Sequence, residues 1–368
     1  SSEANPEHST TPEAPALQRA LRAMVRAGDR AAIIETTSHG LAMDRVGAIG
    51  YDIAVMTNVT HEHLELHGTF DAYRAAKISL FERLATSDLN PRKPLVDWPR
   101  AGIVNIDDPS AGLFIGATRT AGAAVVTYGH ARDASVRLLE VRDDAAGQVV
   151  VYRLSGLERT VLLQLQGRFN ASNALAVVAI GVALHLDLES IEAGLSGVAG
   201  VPGRMELVVA GQPFGVIVDY AHSPASLATV LDELAPRATA RSGGLIVVFG
   251  SAGERDVEKR PIMGRVAAER CRVVVLTDED PRGEDRGAIL AAIAAGARTA
   301  TRPDPATVLQ VPDRGEAIRE AFRRARPGDI VLLAGKGHET TILYADHAVP
   351  WDEATEARTA LAELGFAG

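Results

Sequence analysis

Short aliphatic segments alternate with amphipathic segments over most of the chain. Residues 31–35, 53–57 and 102–105 are rich in aliphatic side chains and end in polar ones, which predicts buried strands. Residues 14–27 and 70–84 carry apolar side chains three and four positions apart, which predicts helices. Strands that alternate with helices are typical of parallel sheets covered by helices.

Apolar and polar positions begin to alternate at about residue 124 and continue to residue 165, with polar turns such as residues 145–147. This period of two predicts an antiparallel sheet, and the pattern then favours a helix over residues 170–184. Two glycines and a proline within residues 200–203 predict a domain boundary.

After residue 203 the alternation of strands and helices resumes. Strands are predicted at 215–218, 245–249, 273–277 and 330–333, and helices at 225–234, 257–270 and 285–295. We therefore predict an α/β protein of two domains. Residues 1–202 form a mostly parallel sheet with a small antiparallel sheet, and residues 203–368 form a doubly wound, Rossmann-like domain.

The composition is that of a globular protein, with 46% hydrophobic and 23% charged residues among 368. The net charge of −9 and the lack of a long basic run argue against a nucleic-acid-binding protein. No apolar segment approaches the ~20 residues of a membrane span, and the polar first residues do not resemble a signal peptide. Because the chain contains one cysteine, Cys271, we expect a cytoplasmic protein without internal disulfides.

Polar side chains follow several of the predicted strands. Ligands of open α/β sheets bind beyond the carboxyl ends of the strands, so these positions form the candidate site. Glu35 follows the first strand, and His61, His63 and His67 follow the second. Carboxylate oxygens with one imidazole could hold a hard divalent cation that carries phosphate oxygens. From the local pattern alone the alternative is a set of solvated loop residues, with Lys77 as a surface charge.

Further candidates lie at later strand ends and helix starts. Asn170 and Asn173 stand at a predicted helix start, where they could hydrogen-bond a base or ribose, or Asn170 could simply cap the helix. Residues 250–256 form a glycine-containing turn between a strand and a helix, which suits an anion. Charged residues also follow three other predicted strands, at Asp219, residues 278–282 and residues 335–339. Each of these segments could be an ordinary loop or part of a site.

Ten short motifs occur in order from about Thr10 to Leu343. They are Thr10-Thr11-Pro12, residues 35–41, Thr57-Asn58 with His63-Leu64, residues 67–70, Ala75-Ala76-Lys77, residues 167–173, residues 202–206, residues 219–224, Arg255-Asp256 with Lys259-Arg260-Pro261, and residues 335–339. Together they resemble the Mur ligase family, in particular its UDP-N-acetylmuramoyl-tripeptide synthetases. The resemblance implies an N-terminally incomplete central, ATP-binding domain in residues 1–202 and the family's C-terminal, amino-acid-binding domain in residues 203–368.

The resemblance also implies an ATP-dependent amide ligase of peptidoglycan precursor synthesis. In that family ATP phosphorylates the carboxylate of UDP-N-acetylmuramoyl-L-Ala-D-Glu, and the amine of a third amino acid attacks the acyl phosphate. The implied cofactor is Mg²⁺, and the implied partners are ATP, the UDP-N-acetylmuramoyl dipeptide and a diamino acid. We expect a monomer with no nucleic-acid or membrane partner.

Single residues acquire roles from the same resemblance. Glu35, His63 and Lys77 match the metal positions, with Lys77 as a carbamylated lysine whose carbamate helps to hold a second Mg²⁺. The positions that match binding of the nucleotide-sugar peptide are Thr10, Thr11, Thr37 and Arg45. The positions that match ATP binding are Asn170, Asn173, Asp219 and Arg204. The positions that match amino-acid binding are Arg255, Glu279, Asp280, Pro281, Arg282, Gly335 and Glu339.

The chain differs from the family at single positions, such as Ser9, Thr37 and Glu62, and its larger departure is that it contains no Gly-x-x-x-x-Gly-Lys-Ser/Thr phosphate loop. We therefore expect it to be the C-terminal part of a longer enzyme and, alone, to be inactive and not to hydrolyse ATP. Two alternatives stay open: a noncatalytic Mur-ligase-like subunit or binding module, and a ligase of the folylpolyglutamate or cyanophycin type. Intact Glu35, His63 and Lys77 argue against the first, and the Asp-Pro-Arg and Gly-His-Glu segments argue against the second.

The identity of the third amino acid is predicted from residues 279–282. In relatives that add meso-diaminopimelate this segment reads Asp-Asn-Pro-Arg, whereas here it reads Glu-Asp-Pro-Arg. Asp280 would repel a distal carboxylate, attract an ammonium group and pair with Arg282. The sequence therefore favours L-lysine or L-ornithine over meso-diaminopimelate, with Glu339 as a further acceptor for the side-chain amine.

Overall fold

The computed structural model describes residues 10–59, 67–85, 98–144 and 146–366. The chain divides into two compact units. One unit consists of Ser1–Leu163 with Phe169–Gly197, and the other of Gln164–Arg168 with Val198–Gly368. The main division therefore falls at Gly197, shortly before the predicted boundary between residues 202 and 203.

The first unit is built on one six-stranded sheet. Its helices are α1 (Ala14–Ala27), α2 (Ser38–Ala42), α3 (Phe70–Glu82), α4 (Ala111–Thr120), α5 (Phe169–Ala183) and α6 (Leu188–Ser196). Its strands are β1 (Ile53–Met56), β2 (Ala101–Asn105), β3 (Ala124–Gly129), β4 (Val136–Asp144), β5 (Gly147–Leu154) and β6 (Leu157–Leu163). The strands lie in chain order, parallel from β1 to β4 and antiparallel from β4 to β6.

Most predicted elements of this unit are confirmed, and two differ. The antiparallel strands are present, but β3, which was assigned to them, pairs in parallel with both of its neighbours. The strand predicted at residues 31–35 is wrong, since this segment has no regular secondary structure and Ile33 is fully exposed. An aliphatic run becomes a strand only where a neighbouring strand supplies hydrogen bonds, and in the part of the chain that the structure describes no strand pairs with this segment.

The second unit is a doubly wound α/β domain, as predicted. Its strands are β7 (Glu206–Leu207), β8 (Gly215–Asp219), β9 (Leu245–Phe249), β10 (Val273–Leu276), β11 (Thr307–Gln310), β12 (Ile330–Ala334), β13 (Thr341–Leu343) and β14 (Ala348–Pro350). Its helices are α7 (Pro224–Ala240), α8 (Lys259–Arg270), α9 (Arg286–Ala297), α10 (Arg314–Arg324) and α11 (Glu353–Glu363). The sheet order is β11-β10-β9-β12-β8-β7, with only β7 antiparallel, and β13 and β14 form a separate hairpin.

Burial explains why the central strands of this unit were recognised from sequence. All five residues of β9 and of β12 are buried, as expected for parallel strands covered on both faces. Their side chains share a core with Ala317 of α10 and Leu361 of α11. Since the parallel strands run in one direction, the carboxyl ends of β8, β9, β10 and β12 meet at one edge of the sheet. This edge carries most of the predicted amino-acid-binding residues.

Helices α8 and α9 cross at two glycines, which gives a testable prediction of stability. A Cβ atom on Gly264 would lie 1.9 Å from the carbonyl oxygen of Ile293, and one on Gly296 would lie 1.8 Å from that of Pro261. We expect Gly264→Ala to force the helices apart and to lower the free energy of unfolding by about 2 kcal/mol. Urea unfolding followed by circular dichroism measures this loss.

The control is Gly116→Ala in α4, where no heavy atom lies within 4 Å of the new Cβ. Alanine is the better helix former, so this variant should be more stable by up to about 1 kcal/mol. Equal stability of the two variants would contradict the close helix contact.

Across the four described ranges, none of the helices combines the length and the apolar character that crossing a bilayer requires.

Candidate functional site

Three of the four residues predicted to bind the nucleotide-sugar peptide form one hydrogen-bonded cluster in the first unit. The buried Thr11 hydroxyl donates to the carbonyl oxygen of Glu35 at 2.9 Å and accepts from the backbone N–H of Thr37 at 2.9 Å. Arg45 Nη1 donates to the carbonyl oxygen of Thr11 at 2.9 Å. Thr10 precedes this cluster directly and is exposed. The structure therefore brings these predicted residues together around Thr11.

Thr37 and Arg45 each have a second contact that fixes their position. The Thr37 hydroxyl caps α2 by accepting from the backbone N–H of Gly40 at 3.0 Å. Arg45 also pairs with Glu13 at 2.7 Å, and the Glu13 side chain is about half exposed. Exposed ion pairs contribute only about 0–1 kcal/mol, so an anionic substrate group could take the place of Glu13 at Arg45.

Lys77 lies on α3, where it contacts the first of three aromatic side chains that contact one another in sequence. Thr69 caps this helix as predicted, accepting from the backbone N–H of Ala72. The half-buried Lys77 has its Nζ 5.2 Å from the ring centroid of Tyr73, one turn earlier. Ring contacts then lead from Tyr73 to His67 at 5.6 Å and from His67 to His39 of α2 at 5.8 Å. Lys77 is thus connected through aromatic rings to the helix that Thr37 caps.

The predicted metal site is only partly visible. Glu35 is exposed, and His63 lies outside the described residues. Within the described ranges, no three His, Cys, Asp or Glu side chains are grouped so that they could hold a metal ion. Mg²⁺ takes oxygen ligands, which an unmodified lysine does not supply. The described residues alone therefore do not assemble a Mg²⁺ site.

Asn170 and Asn173 lie in the first turns of α5, as predicted. The side-chain amide of Asn173 donates to the side-chain oxygen of Asn170 at 3.0 Å. Asn170 is buried and Asn173 is exposed in this unit. This hydrogen bond holds both amides in one orientation at the helix start.

In the second unit, Asp219 joins the end of β8 to the loop that carries Arg204. Its two carboxylate oxygens accept from the backbone N–H groups of Met205, at 2.9 Å, and Ala221, at 2.8 Å. Burial raises the pKa of the Asp219 carboxyl, and the two backbone donors oppose that shift. The guanidinium of Arg204 lies over the Tyr220 ring at 4.7 Å. Asp219 thus holds the local backbone in place at this edge of the sheet.

A fully buried lysine that was given no role from sequence organises the predicted amino-acid-binding residues. Lys336 Nζ donates to Asp280 at 2.8 Å and also to Glu339. Asp280 accepts a further bond from the backbone N–H of Leu343, and Glu339 accepts one from the Tyr220 hydroxyl. Burial and the charge of Glu339 raise the pKa of Tyr220. We call Lys336, Asp280, Glu339 and Tyr220 the lysine cluster.

The lysine cluster corrects one expectation. Asp280 was expected to pair with Arg282, but the described side chains place it on Lys336 instead. Arg282 is held through its backbone, where its N–H donates to the carbonyl oxygen of Leu343 at 2.9 Å with a φ of +52°. Arg255 is exposed on the neighbouring loop, which bonds to the carbonyl oxygen of Asp280 through the N–H of Gly253.

Glu279 is the member of this set with unused hydrogen-bonding capacity. It is only 7% exposed, and its Oε2 atom is buried with no hydrogen-bond partner in the described part of the chain. Its carboxylate faces Gly335, where a Cβ atom would lie 3.7 Å from the Glu279 Cδ. An unsatisfied buried acceptor costs about 1–3 kcal/mol. A bound ammonium group would relieve that cost.

Comparison with known proteins gives matches over nearly the whole chain. The family described as "Mur ligase middle domain" matches residues 1–181, and "Mur ligase, glutamate ligase domain" matches residues 203–337. A protein of Roseiflexus sp. (strain RS-1) named UDP-N-acetylmuramyl-tripeptide synthetase is 46% identical over 99% of this chain and 71% of its own length. A protein of Treponema denticola with the same name is 40% identical over 97% of this chain and 68% of its own.

Other matches carry a more specific name or extend to solved structures. A Geobacillus kaustophilus protein named UDP-N-acetylmuramoyl-L-alanyl-D-glutamate--2,6-diaminopimelate ligase is 38% identical over 98% of this chain and 70% of its own. A solved structure with that same name is 30% identical, with a TM-score of 0.59 over 96% of this chain and 69% of its own. Mycobacterium tuberculosis folylpolyglutamate synthase shares the fold, at 21% identity and a TM-score of 0.58 over 79% of this chain and 62% of its own. The chain belongs to the Mur ligase family.

Proposed function

We propose that this chain is the ATP- and amino-acid-binding part of an enzyme that carries out the tripeptide-synthetase reaction, joining a diamino acid to UDP-N-acetylmuramoyl-L-Ala-D-Glu at the expense of ATP. The observation that carries the proposal is the name shared by relatives 46% and 40% identical over nearly the whole chain. The terminal phosphoryl group of ATP passes to a carboxylate oxygen of the dipeptide and leaves ADP. The amine then attacks the acyl carbon, the amide bond forms, and phosphate and a proton leave.

The nucleotide-sugar peptide is assigned to the cluster around Thr11. Thr10, Thr11 and Thr37 offer hydroxyl groups, and Arg45 offers a guanidinium beside an exposed, replaceable Glu13. Arginine suits a substrate carboxylate or phosphate because its planar donors can bind two oxygens at once. Asn170, Asn173, Asp219 and Arg204 remain the proposed ATP contacts. Support for the first two is the fixed orientation of their amides.

Mg²⁺ is proposed as the cofactor, with Glu35, His63 and carbamylated Lys77 as its contacts. Bound Mg²⁺ would neutralise charge on the phosphate oxygens. The support from the described residues is that Lys77 is half-buried and connected to α2 through three aromatic side chains. A carbamate at Lys77 would turn the amine into an oxygen donor, the class of ligand that Mg²⁺ requires.

The incoming amino acid is assigned to the edge formed by Glu279, Asp280, Arg282, Lys336 and Glu339. Among these five side chains, none of which is exposed, three carboxylates stand against two cations and leave one formal negative charge; Arg255 is exposed on the neighbouring loop and is not counted. A diamino acid with a cationic end is favoured by that balance over one with a distal carboxylate. We therefore propose L-lysine or L-ornithine before meso-diaminopimelate, with Glu279 and Glu339 near the side-chain amine. The other residues proposed at this edge are Arg255, Pro281 and Gly335.

The test uses the protein encoded by the complete reading frame. It is incubated with the UDP-N-acetylmuramoyl dipeptide, ATP, Mg²⁺ and each of the three diamino acids in turn, and the product mass is measured. A mass increase of one diamino acid residue, with matching phosphate release, is expected. Binding of the dipeptide without product would favour a noncatalytic binding module, and glutamate addition to a folate would favour the folylpolyglutamate type.

A further inference from the structure

Arg314, the first residue of α10, connects two strand ends that are not hydrogen-bonded to each other. Its side chain is fully buried, as is that of Glu353 at the start of α11. Nη1 donates to the carbonyl oxygen of Asp278 at 3.0 Å, and Nη2 donates to that of Ala334 at 2.8 Å. Asp278 follows β10 and Ala334 ends β12, and β9 lies between these two strands in the sheet.

Glu353 balances the charge of Arg314 and orients it. The carboxylate accepts from Arg314 Nε at 2.9 Å and from Nη2 at 2.7 Å, which is a two-pronged contact. Trp351 Nε1 donates to the same carboxylate. A planar guanidinium held on one side by a carboxylate keeps its remaining N–H directions fixed. These directions point at the two strand-end carbonyls.

The two carbonyls belong to the peptide planes that lead into the amino-acid-binding segments. The carbonyl of Asp278 lies in the peptide plane that leads to Glu279, and the carbonyl of Ala334 lies in the one that leads to Gly335 and Lys336. A change in either plane would move the Glu279 carboxylate or the lysine cluster. Arg314 therefore joins the bases of two loops that also meet through Asp280, which accepts from Lys336 and Leu343, and through the backbone N–H of Arg282, which donates to Leu343.

We infer that Arg314, held by Glu353, is the positioning residue that sets the distance between the β10 and β12 loops and thereby the affinity for the incoming amino acid. The ligand in this statement rests on the proposed function. Arg314 itself does not contact the substrate in this scheme, because its side chain is fully buried and each of its three nitrogen atoms already donates to Asp278, Ala334 or Glu353.

The opposite edge of the same sheet offers a matched control. Arg272 pairs with the buried Asp329 at 2.5 Å, and Asp329 also accepts from the backbone N–H of Gly244. These residues directly precede β10, β12 and β9, so the pair connects the same strands at their amino ends. Its loss should disturb the domain without moving the amino-acid-binding loops.

The test variant is Arg314→Met combined with Glu353→Gln, which removes both charges together and keeps an acceptor for Trp351. Removing a buried pair as a unit avoids leaving one uncompensated charge. We expect the KM for the amino acid to rise about tenfold, roughly 1.4 kcal/mol of binding. The KM values for ATP and the UDP-dipeptide should stay within about twofold of the wild-type values. Arg314→Lys keeps the positive charge but loses the planar set of N–H donors, so its KM for the amino acid should lie between those of the wild type and the double variant.

Amide hydrogen exchange provides a readout that needs no activity. Peptides covering residues 277–284 and 334–340 should exchange faster in the double variant, and those flanking Arg272 and Asp329 should not. The control, Arg272→Met with Asp329→Asn, should leave the amino-acid KM and these two segments unchanged. An equal rise of all three KM values, or an equal effect of the control, would overturn the inference.

If the double variant fails to fold, the same comparison is made with Arg314→Lys. A wild-type protein that makes no product with any diamino acid would contradict the proposed function. Hydrogen exchange would then still decide the positioning role.

Discussion

Replacing Lys77 by alanine is expected to lower kcat/KM for ligation at least about 100-fold, which corresponds to about 2.7 kcal/mol of transition-state stabilisation. If Lys77 carries a carbamate, alanine removes an anion that the proposed Mg²⁺ site requires. Lys77→Arg should be equally inactive, because arginine keeps the positive charge and is not carbamylated. Steady-state phosphate release measures both variants.

The control for this prediction is Arg74→Ala on the same helix. Arg74 lies three residues earlier and pairs with the exposed Asp71 at 2.7 Å. Exposed pairs within a helix contribute little, so activity should stay within about twofold. A Lys77→Arg variant with wild-type activity would show that a cation, and not a carbamate, is needed at this position.

The carbamate hypothesis also predicts a dependence on dissolved CO2. The neutral amine forms an N–C bond to CO2 and releases a proton, so exposure to acid in CO2-free buffer reverses the reaction. Activity should fall after that treatment and partly return when bicarbonate is added at neutral pH. Lys77→Arg should show no response to bicarbonate.

Replacing Asp280 by asparagine is expected to shift the preference from L-lysine towards meso-diaminopimelate by about tenfold. In the wild-type protein Asp280 and Glu339 share the buried Lys336 ammonium, and the Oε2 atom of Glu279 has no hydrogen-bond partner among the described residues. Asparagine still accepts from Leu343 but removes one charge, so the edge becomes formally neutral. The carboxylates of this edge then repel the distal carboxylate of meso-diaminopimelate less strongly.

A competition assay with equal concentrations of L-lysine, L-ornithine and meso-diaminopimelate measures this shift. Asp285→Asn serves as the control, since Asp285 is a carboxylate of the same segment that caps α9, and asparagine caps helices equally well. A wild-type preference for meso-diaminopimelate would overturn the proposed substrate. An unchanged ratio in Asp280→Asn would show that the charge of Asp280 does not select the amino acid.

The periodicity of the chain predicted β8, β9, β10 and β12 of the doubly wound domain because each is a short, largely buried aliphatic run. It did not predict β7, β11, β13 and β14, which are more exposed. The same rule failed at residues 31–35, where the run is aliphatic but Ile33 is exposed. Burial depends on which other segment of the folded chain covers a given segment, and the local sequence pattern does not contain this information. Helices α10 and α11 were not predicted, although Asp313 and Asp352 cap them.

Within the candidate site, motif order located the residues but not their partners. Asp280 and Glu339 were identified, yet the Lys336 that joins them received no role. A charged residue two positions after five buried aliphatic positions, with only Gly335 between, was the available signal. Arg314 and Glu353 lie 39 residues apart, and neither has a neighbouring motif that indicates burial. Ion pairs between distant segments form only once the sheet brings the segments together.

The complete burial of Lys336 also affects how the chain responds to amine-reactive reagents. The sequence contains four lysines, namely Lys77, Lys93, Lys259 and Lys336. An acylating reagent needs a neutral and accessible amine, whereas Lys336 is held between two carboxylates with no exposed side-chain surface. Acylation of Lys336 thus requires a local opening of this edge of the domain. Its labelling rate relative to Lys259 would report how often the amino-acid-binding edge opens, and a bound substrate would slow it.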